Sequence, residues 1–270
     1  MLFRSHMVLG DGWKASGKME GAAAAYRQAL QIEPGSVRAL RALAAVEKKD
    51  DAEKILARAV QIAPDDAESW FRYGVLTASA ERLQKAVTLD PWLPDQSRRL
   101  AEVTHSEQAL NDALRTDPFD DAAWDLGGRI LAEKGKFDDA FFDFERAIKL
   151  HPSGQYRYDY ALGLVRADRF DDAQKEAEMA VRTDAQLAEV HELLGGLHAR
   201  KNELAEAARE YAAVVALKPD LARAQLRLAT VLASEGDKEG AAAHFREAAK
   251  GNDASVARQA EQALRDMGIR

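Results

Sequence analysis

One short pattern recurs eight times along the chain: a small residue, an apolar or aromatic residue four positions on, and a further small or apolar residue three after that. The series runs Ala22/Tyr26/Ala29, Ala52/Leu56/Ala59, Ser79/Leu83/Ala86, Ser106/Leu110/Ala113, Ala140/Phe144/Ala147, Ala173/Ala177/Ala180, Ala207/Tyr211/Val214 and Ala241/Phe245/Ala248. Offsets of four and three put all three side chains on one face of a helix. Five residues after the last member a proline usually follows, at Pro34, Pro64, Pro91, Pro118, Pro152 and Pro219, and ends that helix. Self-similarity of this period predicts a solenoid, in which each unit buries its face only against its neighbours.

Length alone, 270 residues, fits two globular domains or one array, and the repeat selects the array. Hydrophobic residues make up 47% of the chain but aromatics only 7%, so much of the apolar content is alanine and helices can approach closely. Net charge is -7 and neither half is basic: 16 basic against 18 acidic side chains up to residue 120, then 22 against 27. That balance argues against a nucleic-acid footprint or a polybasic membrane patch. The absence of cysteine excludes disulfides, thiolate metal sites and a cysteine nucleophile, and fits cytoplasm and periplasm equally.

No apolar run approaches membrane-spanning length, and Met1 to Gly10 lacks the charged start and apolar core of an export signal. A soluble, cytoplasmic protein with no membrane insertion is expected from the chain as given. Leu2 to Ser5 also match what a common sequencing adapter encodes in frame, which leaves open an upstream start and, with it, a periplasmic location or further domains.

The most regular unit runs from Asp121 to Gly154. Trp124 and Leu126 with Gly127 and Gly128 fall on a first helix, Gly135 on a turn, and Ala140, Phe144 and Ala147 on a second helix ended by Pro152. The glycines let the second helix pass close while Trp124 and Phe144 fill the remaining space. Gly17, Gly135, Asp168, Asn202 and Gly236 hold equivalent turn positions, and all are residue types that tolerate a left-handed backbone.

This spacing resembles the tetratricopeptide repeat, with Trp, Leu-Gly and Tyr on the first helix, Ala, Phe and Ala on the second, then Pro, over 34 residues. Leu9 and Gly10 with Tyr26, Leu194 and Gly195 with Tyr211, and Leu228 and Ala229 with Phe245 repeat the correspondence over nearly the whole chain. The resemblance implies an all-α, right-handed superhelical solenoid of about eight antiparallel helix hairpins. Residues 3–36 would form the first hairpin, 37–120 three shortened ones, 121–253 four regular ones, and 254–268 a capping helix. In the cap, Val256, Ala260, Ala263, Leu264 and Met267 form the apolar stripe, Asp253 the N-cap and Gly268 the stop.

The middle departs from the family pattern. Pro64 to Pro91 and Pro91 to Pro118 are each 27 residues, seven short, and Pro34 to Pro64 is 30. Seven residues shared between two helices is about one turn from each. Thr104 to Glu107 reads as a capping box where the fourth unit's second helix restarts. Alternatively Glu68 to Leu89, having no glycine between its halves, runs as one long kinked helix.

Chemical motifs have bland readings that outweigh the sharp ones. Gly12 to Lys18 matches a phosphate-cradling loop until Met19 replaces the metal-binding hydroxyl, and it sits on a repeat helix and turn rather than after a strand. His191-Glu192 begins a zinc-protease-like run in which Gly195 replaces the second histidine, so His191 and His198 are expected to be packed or partly exposed imidazoles. Asp65/Asp66, Asp120/Asp121 and Asp171/Asp172 stand at helix starts, where capping outweighs acid–base chemistry. No cofactor, metal or catalytic cluster is therefore expected. Trp92, in Pro91-Trp92-Leu93-Pro94, either plugs the gap between two short hairpins or is an exposed partner anchor.

In the resembled family the first helices line a concave groove that holds a peptide. By position this carries over to Asp125 and Arg129, Tyr158, Leu162 and Arg166, Glu192, Gly196 and Arg200, and Arg223, Leu226 and Thr230. Arg166 and Arg200 beside Tyr158 and Leu162 would suit an apolar segment bearing carboxylates. The Lys and Asn pattern of chaperone-binding members is missing, with Asp125, Tyr158 and Glu192 in its place, so no carboxylate clamp is expected. The expected function is a non-catalytic scaffold for a protein or peptide partner. Alternatives are the repeat tail of a larger bacterial enzyme or electron-transfer protein, and a structural assembly subunit.

Overall fold

The computed structural model describes residues 1–93 and 95–269, so Pro94 of the Pro91–Pro94 joint lies outside it. Among the described residues there are 17 helices and no strand. The first unit, Met1–Ala123, holds α1 (Leu2–Ala15), α2 (Met19–Ile32), α3 (Val37–Ala44), α4 (Lys49–Ile62), α5 (Ala67–Thr77), α6 (Ala80–Leu89), α7 (Gln96–Thr104) and α8 (Glu107–Thr116). The second, Trp124–Arg270, holds most of α9 (Asp121–Glu133) and then α10 (Phe137–Leu150), α11 (Gly154–Arg166), α12 (Phe170–Thr183), α13 (Ala188–Arg200), α14 (Leu204–Leu217), α15 (Ala222–Glu235), α16 (Lys238–Ala249) and α17 (Ala254–Asp266). Successive pairs make eight helix hairpins, and α17 remains at the end.

The repeat pattern is the hairpin seam. Tyr26, Leu83 and Phe144 are completely buried, as are Ala140 and Ala147 on either side of Phe144. The glycines opposite are required by that packing: a Cβ at Gly128 would sit 2.6 Å from Phe144, and one at Gly195 2.7 Å from Tyr211. In the second unit Phe144 also stacks on Tyr160 of the next hairpin, ring centroids 5.5 Å apart. Burial and the neighbouring Glu145 push the Tyr160 phenol up to about 12.

All five expected turn residues carry a left-handed backbone, from φ 58° at Asp168 to φ 92° at Gly236. Each turn is closed by the same bond, from the amide one residue beyond to the carbonyl five positions back, as from Lys136 to Leu131 at 2.9 Å. The possibility of one long helix over 68–89 is overturned. Ala78 takes φ 48° between α5 and α6, and Ser79 N–H closes the same bond to Gly74 at 2.9 Å.

The trimmed hairpins lose their residues from both helices: α6 and α8 have 10 residues each against 14 in α10, and α7 has 9 against 13 in α11. As a result Ser79 and Ser106, which hold the place of the first small residue, become the N-caps of α6 and α8. This corrects the expected capping box. Ser106 caps Ala109 N–H at 3.2 Å, whereas Thr104 ends α7 and donates to Leu100.

A second recurring device ties four of the first helices, α5, α7, α13 and α15, to the loop before them. Trp70, His191 and Gln225 each reach a carbonyl six residues back, on Pro64, Ala185 and Pro219, at 2.9, 3.3 and 3.1 Å; Gln96 does the same to Asp90. Trp, Gln and His, each with a nitrogen that spans the gap, thus make the same bond in these four helices. At the end, Asp253 caps α17 through Ser255 and Val256 N–H at 2.8 and 3.2 Å. Val256 and Ala260 pack against Phe245, with Ala263, Leu264 and Met267 beside them.

Candidate binding surface

The first helices of the second unit, α11, α13 and α15, carry residues at four-residue spacing on one face: Tyr158 and Leu162, then Glu192, Gly196 and Arg200. These five come together around an open cavity of about 440 Å³, with Val165, Phe170 and Arg227 completing its wall. Gly196 shapes the floor. A Cβ there would meet only the Tyr211 hydroxyl, at 3.8 Å, so packing does not demand the glycine and its absence of side chain leaves space.

Charge in this cavity is unevenly matched. Glu192 is shared between Arg223 and Arg227, whose Nε atoms lie 3.2 and 3.4 Å from its Oε1. Glu189 is neutralised by Lys218 at 2.5 Å. Arg200 lies over the Phe170 ring at 3.9 Å, and no ion pair to a carboxylate forms there among the described residues. The wall is therefore largely apolar, its two glutamates are paired, and Arg200 makes no ion pair among the described residues. Burial first, then Asp159, Glu189 and Glu192, push the Tyr158 phenol above its ordinary range, so it stays a hydrogen-bond donor at neutral pH.

The remaining candidates sit elsewhere. Asp125 is only 4% exposed, with its carboxylate 3.1 Å from Arg129 Nε. Arg166 points to Glu133 at 4.0 Å and does not line the cavity, although it is equivalent by position to Arg200. Arg223 contributes through Glu192, Leu226 packs toward the terminal cluster, and the Thr230 hydroxyl donates to the Leu226 carbonyl at 2.8 Å. Trp92, in the first unit, is 70% exposed, which overturns the idea that it plugs a gap. Sequence mapping missed Phe170 and Arg227 because it considered only the outward positions of first helices, and Phe170 starts a second helix.

The other motifs resolve structurally. Gly12 to Ala15 lie within α1 and Gly17 in its turn. His191 uses both ring nitrogens, to Glu210 at 2.6 Å and to Ala185, and His198 contacts Glu203 at 2.6 Å. Asp66 caps α5, accepting from Ser69 N–H at 2.9 Å, and Asp120 caps α9, accepting from Ala123 N–H at 3.0 Å. Asp171 is held below its ordinary range by Lys201, and Asp172 by Arg169 and Lys175. Among the described residues no group of three or more His, Asp or Glu could hold a metal ion, and no helix is long and apolar enough to cross a membrane.

Known proteins place this architecture. Residues 14–71, and residues 158–222 and 205–257, match family models described as tetratricopeptide repeat. The TPR repeat-containing thioredoxin TTL4 of Arabidopsis thaliana is 35% identical over 145 residues, 50% of this chain but 20% of that protein. The inactive TPR repeat-containing thioredoxin TTL3 of the same plant is 34% identical over 105 residues, 15% of its length. Among solved structures, yeast Tom70 superimposes with a TM-score of 0.66 at 17% identity, covering 94% of this chain and 60% of that one. A tetratricopeptide repeat protein of Parabacteroides merdae gives 0.56 at 14% identity, with 96% and 97% of the chains covered. PilF of Pseudomonas aeruginosa gives 0.52 at 18%, with 97% of each. The structural likenesses speak for the fold, and the family models, which between them span more than half of the residues, establish that this chain belongs to the tetratricopeptide repeat superfamily.

Proposed function

We propose that the second unit is a non-catalytic receptor for a short peptide segment that combines apolar side chains with carboxylates. The observation that carries this is Arg200, stacked on Phe170 at the rim of an apolar cavity with its guanidinium edge still available to a carboxylate. Tyr158 offers a hydroxyl beside it, and Leu162 with Val165 an apolar wall. Stacking on the ring fixes the guanidinium plane in advance, which lowers the ordering cost of capture.

The test uses two fluorescein-labelled peptides of equal length, one alternating Glu and Leu and one alternating Lys and Leu, titrated with the full chain. The acidic peptide is expected to bind more tightly. Arg200→Glu should weaken it by about tenfold, and Gly196→Leu should block it by filling the floor, both with unchanged circular dichroism. Acidic-peptide binding that survives both substitutions sinks the assignment.

A second reading rests on the two Arabidopsis relatives, whose matched segments are a small part of longer thioredoxin-named proteins. In it the array serves as the partner-binding portion of a larger redox protein. Reading the gene on both sides of this segment decides it, since a continuous frame without a thioredoxin-like domain excludes it.

A further inference from the structure

The first unit carries a surface feature of its own. Trp92 is 70% exposed and Phe119 74% exposed. Both stand directly after the proline that ends a second helix, in Asp90-Pro91-Trp92 and Asp117-Pro118-Phe119, so successive trimmed hairpins present an aromatic ring at the same place. The backbone is matched as well: Asp90 has φ -143° and ψ 93°, Asp117 φ -134° and ψ 98°. Each aspartate accepts the amide N–H of the aromatic two residues on, at 3.0 and 2.9 Å. This turn does not need a ring, since Asp184 makes the same bond to Gln186 at 2.9 Å. The two aromatics therefore serve neither turn nor core, and large exposed rings in equivalent positions mark a contact surface.

A cavity of about 280 Å³ is lined by their sequence neighbours, Leu93 after Trp92 and Asp117 and Asp120 around Phe119, together with Ala113 and Thr116. The charge around it is acidic. Arg98 is taken up by Asp95 at 2.6 Å and Asp120 at 2.8 Å, and Arg115 by Asp112. Asp90 and Asp117 make no ion pair among the described residues, so two carboxylates beside two exposed rings stay uncompensated.

We infer that this face of the first unit docks a basic, apolar segment of a partner protein. An aliphatic side chain of the partner enters the cavity, while its Lys or Arg groups pair with Asp90 and Asp117 and lie over the Trp92 and Phe119 rings. A cation over a ring gains from the ring quadrupole as well as from the nearby carboxylate, which the acidic surroundings reinforce. The site uses none of the residues of the second unit's cavity and stands whether or not that cavity binds peptide.

The experiment titrates the full chain with the labelled Lys/Leu peptide and its Glu/Leu counterpart at low and high salt. The basic peptide should bind, weaken as salt rises, and lose about tenfold or more in affinity to the Trp92→Ala/Phe119→Ala double variant. Asp90→Asn/Asp117→Asn keeps the oxygen that accepts each amide N–H, so the turns persist; it should lower the affinity and flatten the salt dependence. Arg200→Glu should leave this binding unchanged. Failure of the basic peptide to bind, an equal loss of acidic-peptide affinity in the Trp92→Ala/Phe119→Ala variant, or basic-peptide binding indifferent to both double variants overturns the inference. So does self-association of the wild type that the aromatic variant abolishes, since the surface would then pair with a second copy.

Discussion

Arg157 on α11 donates to Glu176 on α12 at 2.8 Å, and the same two positions, nineteen residues apart, hold His191 with Glu210 and Gln225 with His244 in the next two hairpins. One hairpin earlier the spacing falls on Trp124 and Asp143. Asp143 is buried, and no hydrogen bond or ion pair to its side chain forms among the described residues. Desolvation, then repulsion from Asp139, raises its carboxyl to about 7. The fold therefore keeps a proton there that the unfolded chain has already lost above about pH 4. Stability from this group is greatest at acid pH, declines as pH rises from about 4 to about 7, and is flat beyond.

Asp143→Asn should remove that decline. Urea unfolding at pH 4 should show the variant and wild type within error, while at pH 8 the variant should be more stable by roughly 1–2 kcal/mol, an amount reduced by solvent screening. Parallel curves at both pH values would refute an uncompensated carboxylate.

Neighbouring glycines should respond oppositely. Gly195→Ala drives a methyl to 2.7 Å from the rigid Tyr211 ring and should cost about 1–3 kcal/mol. Gly196→Ala meets nothing closer than 3.8 Å and should stabilise by up to about 1 kcal/mol through helix propensity. Equilibrium denaturation of the pair reads both signs.

Asp66 joins two elements, capping Ser69 N–H at 2.9 Å and accepting from Arg41 Nη1 at 2.7 and 2.8 Å. Asp66→Ala should cost about 1–2 kcal/mol, and Asp66→Asn, which can still cap, clearly less. Equal losses in thermal unfolding would mean that the ion pair, not the cap, dominates.

Ala78 holds a left-handed backbone at φ 48° without being glycine. Ala78→Gly should relieve strain and raise stability by about 0.5–1 kcal/mol, less than the full penalty because glycine also loses more freedom on folding. A fall in the melting temperature would contradict this.

The regular turns were legible because Gly17, Gly135 and Gly236, with Asp168 and Asn202, are chemically suited to their backbone. Ala78 and His105 were not, since hairpin packing imposes their conformation against local preference. Ser106 was hidden behind Thr104 because the capping-box spacing fits a cap two residues too early, inside α7. The cavity was half legible. Four-residue spacing assembled Tyr158, Leu162, Glu192, Gly196 and Arg200, but that Arg200 would turn onto Phe170 while its counterpart Arg166 faces Glu133 depends on which neighbour each side chain finds.

Among the described residues the five shortest helices, α3 and α5 to α8, all lie in the first unit, and short helices should carry the lowest local stability. In units coupled only to their neighbours, cooperativity breaks where the coupling is thinnest. Amide hydrogens in α5–α8 should exchange with deuterium sooner than those of α10–α14, and limited proteolysis should cut first in this stretch. Each cut would release fragments with intact helix pairs, so the first unit should open before the second.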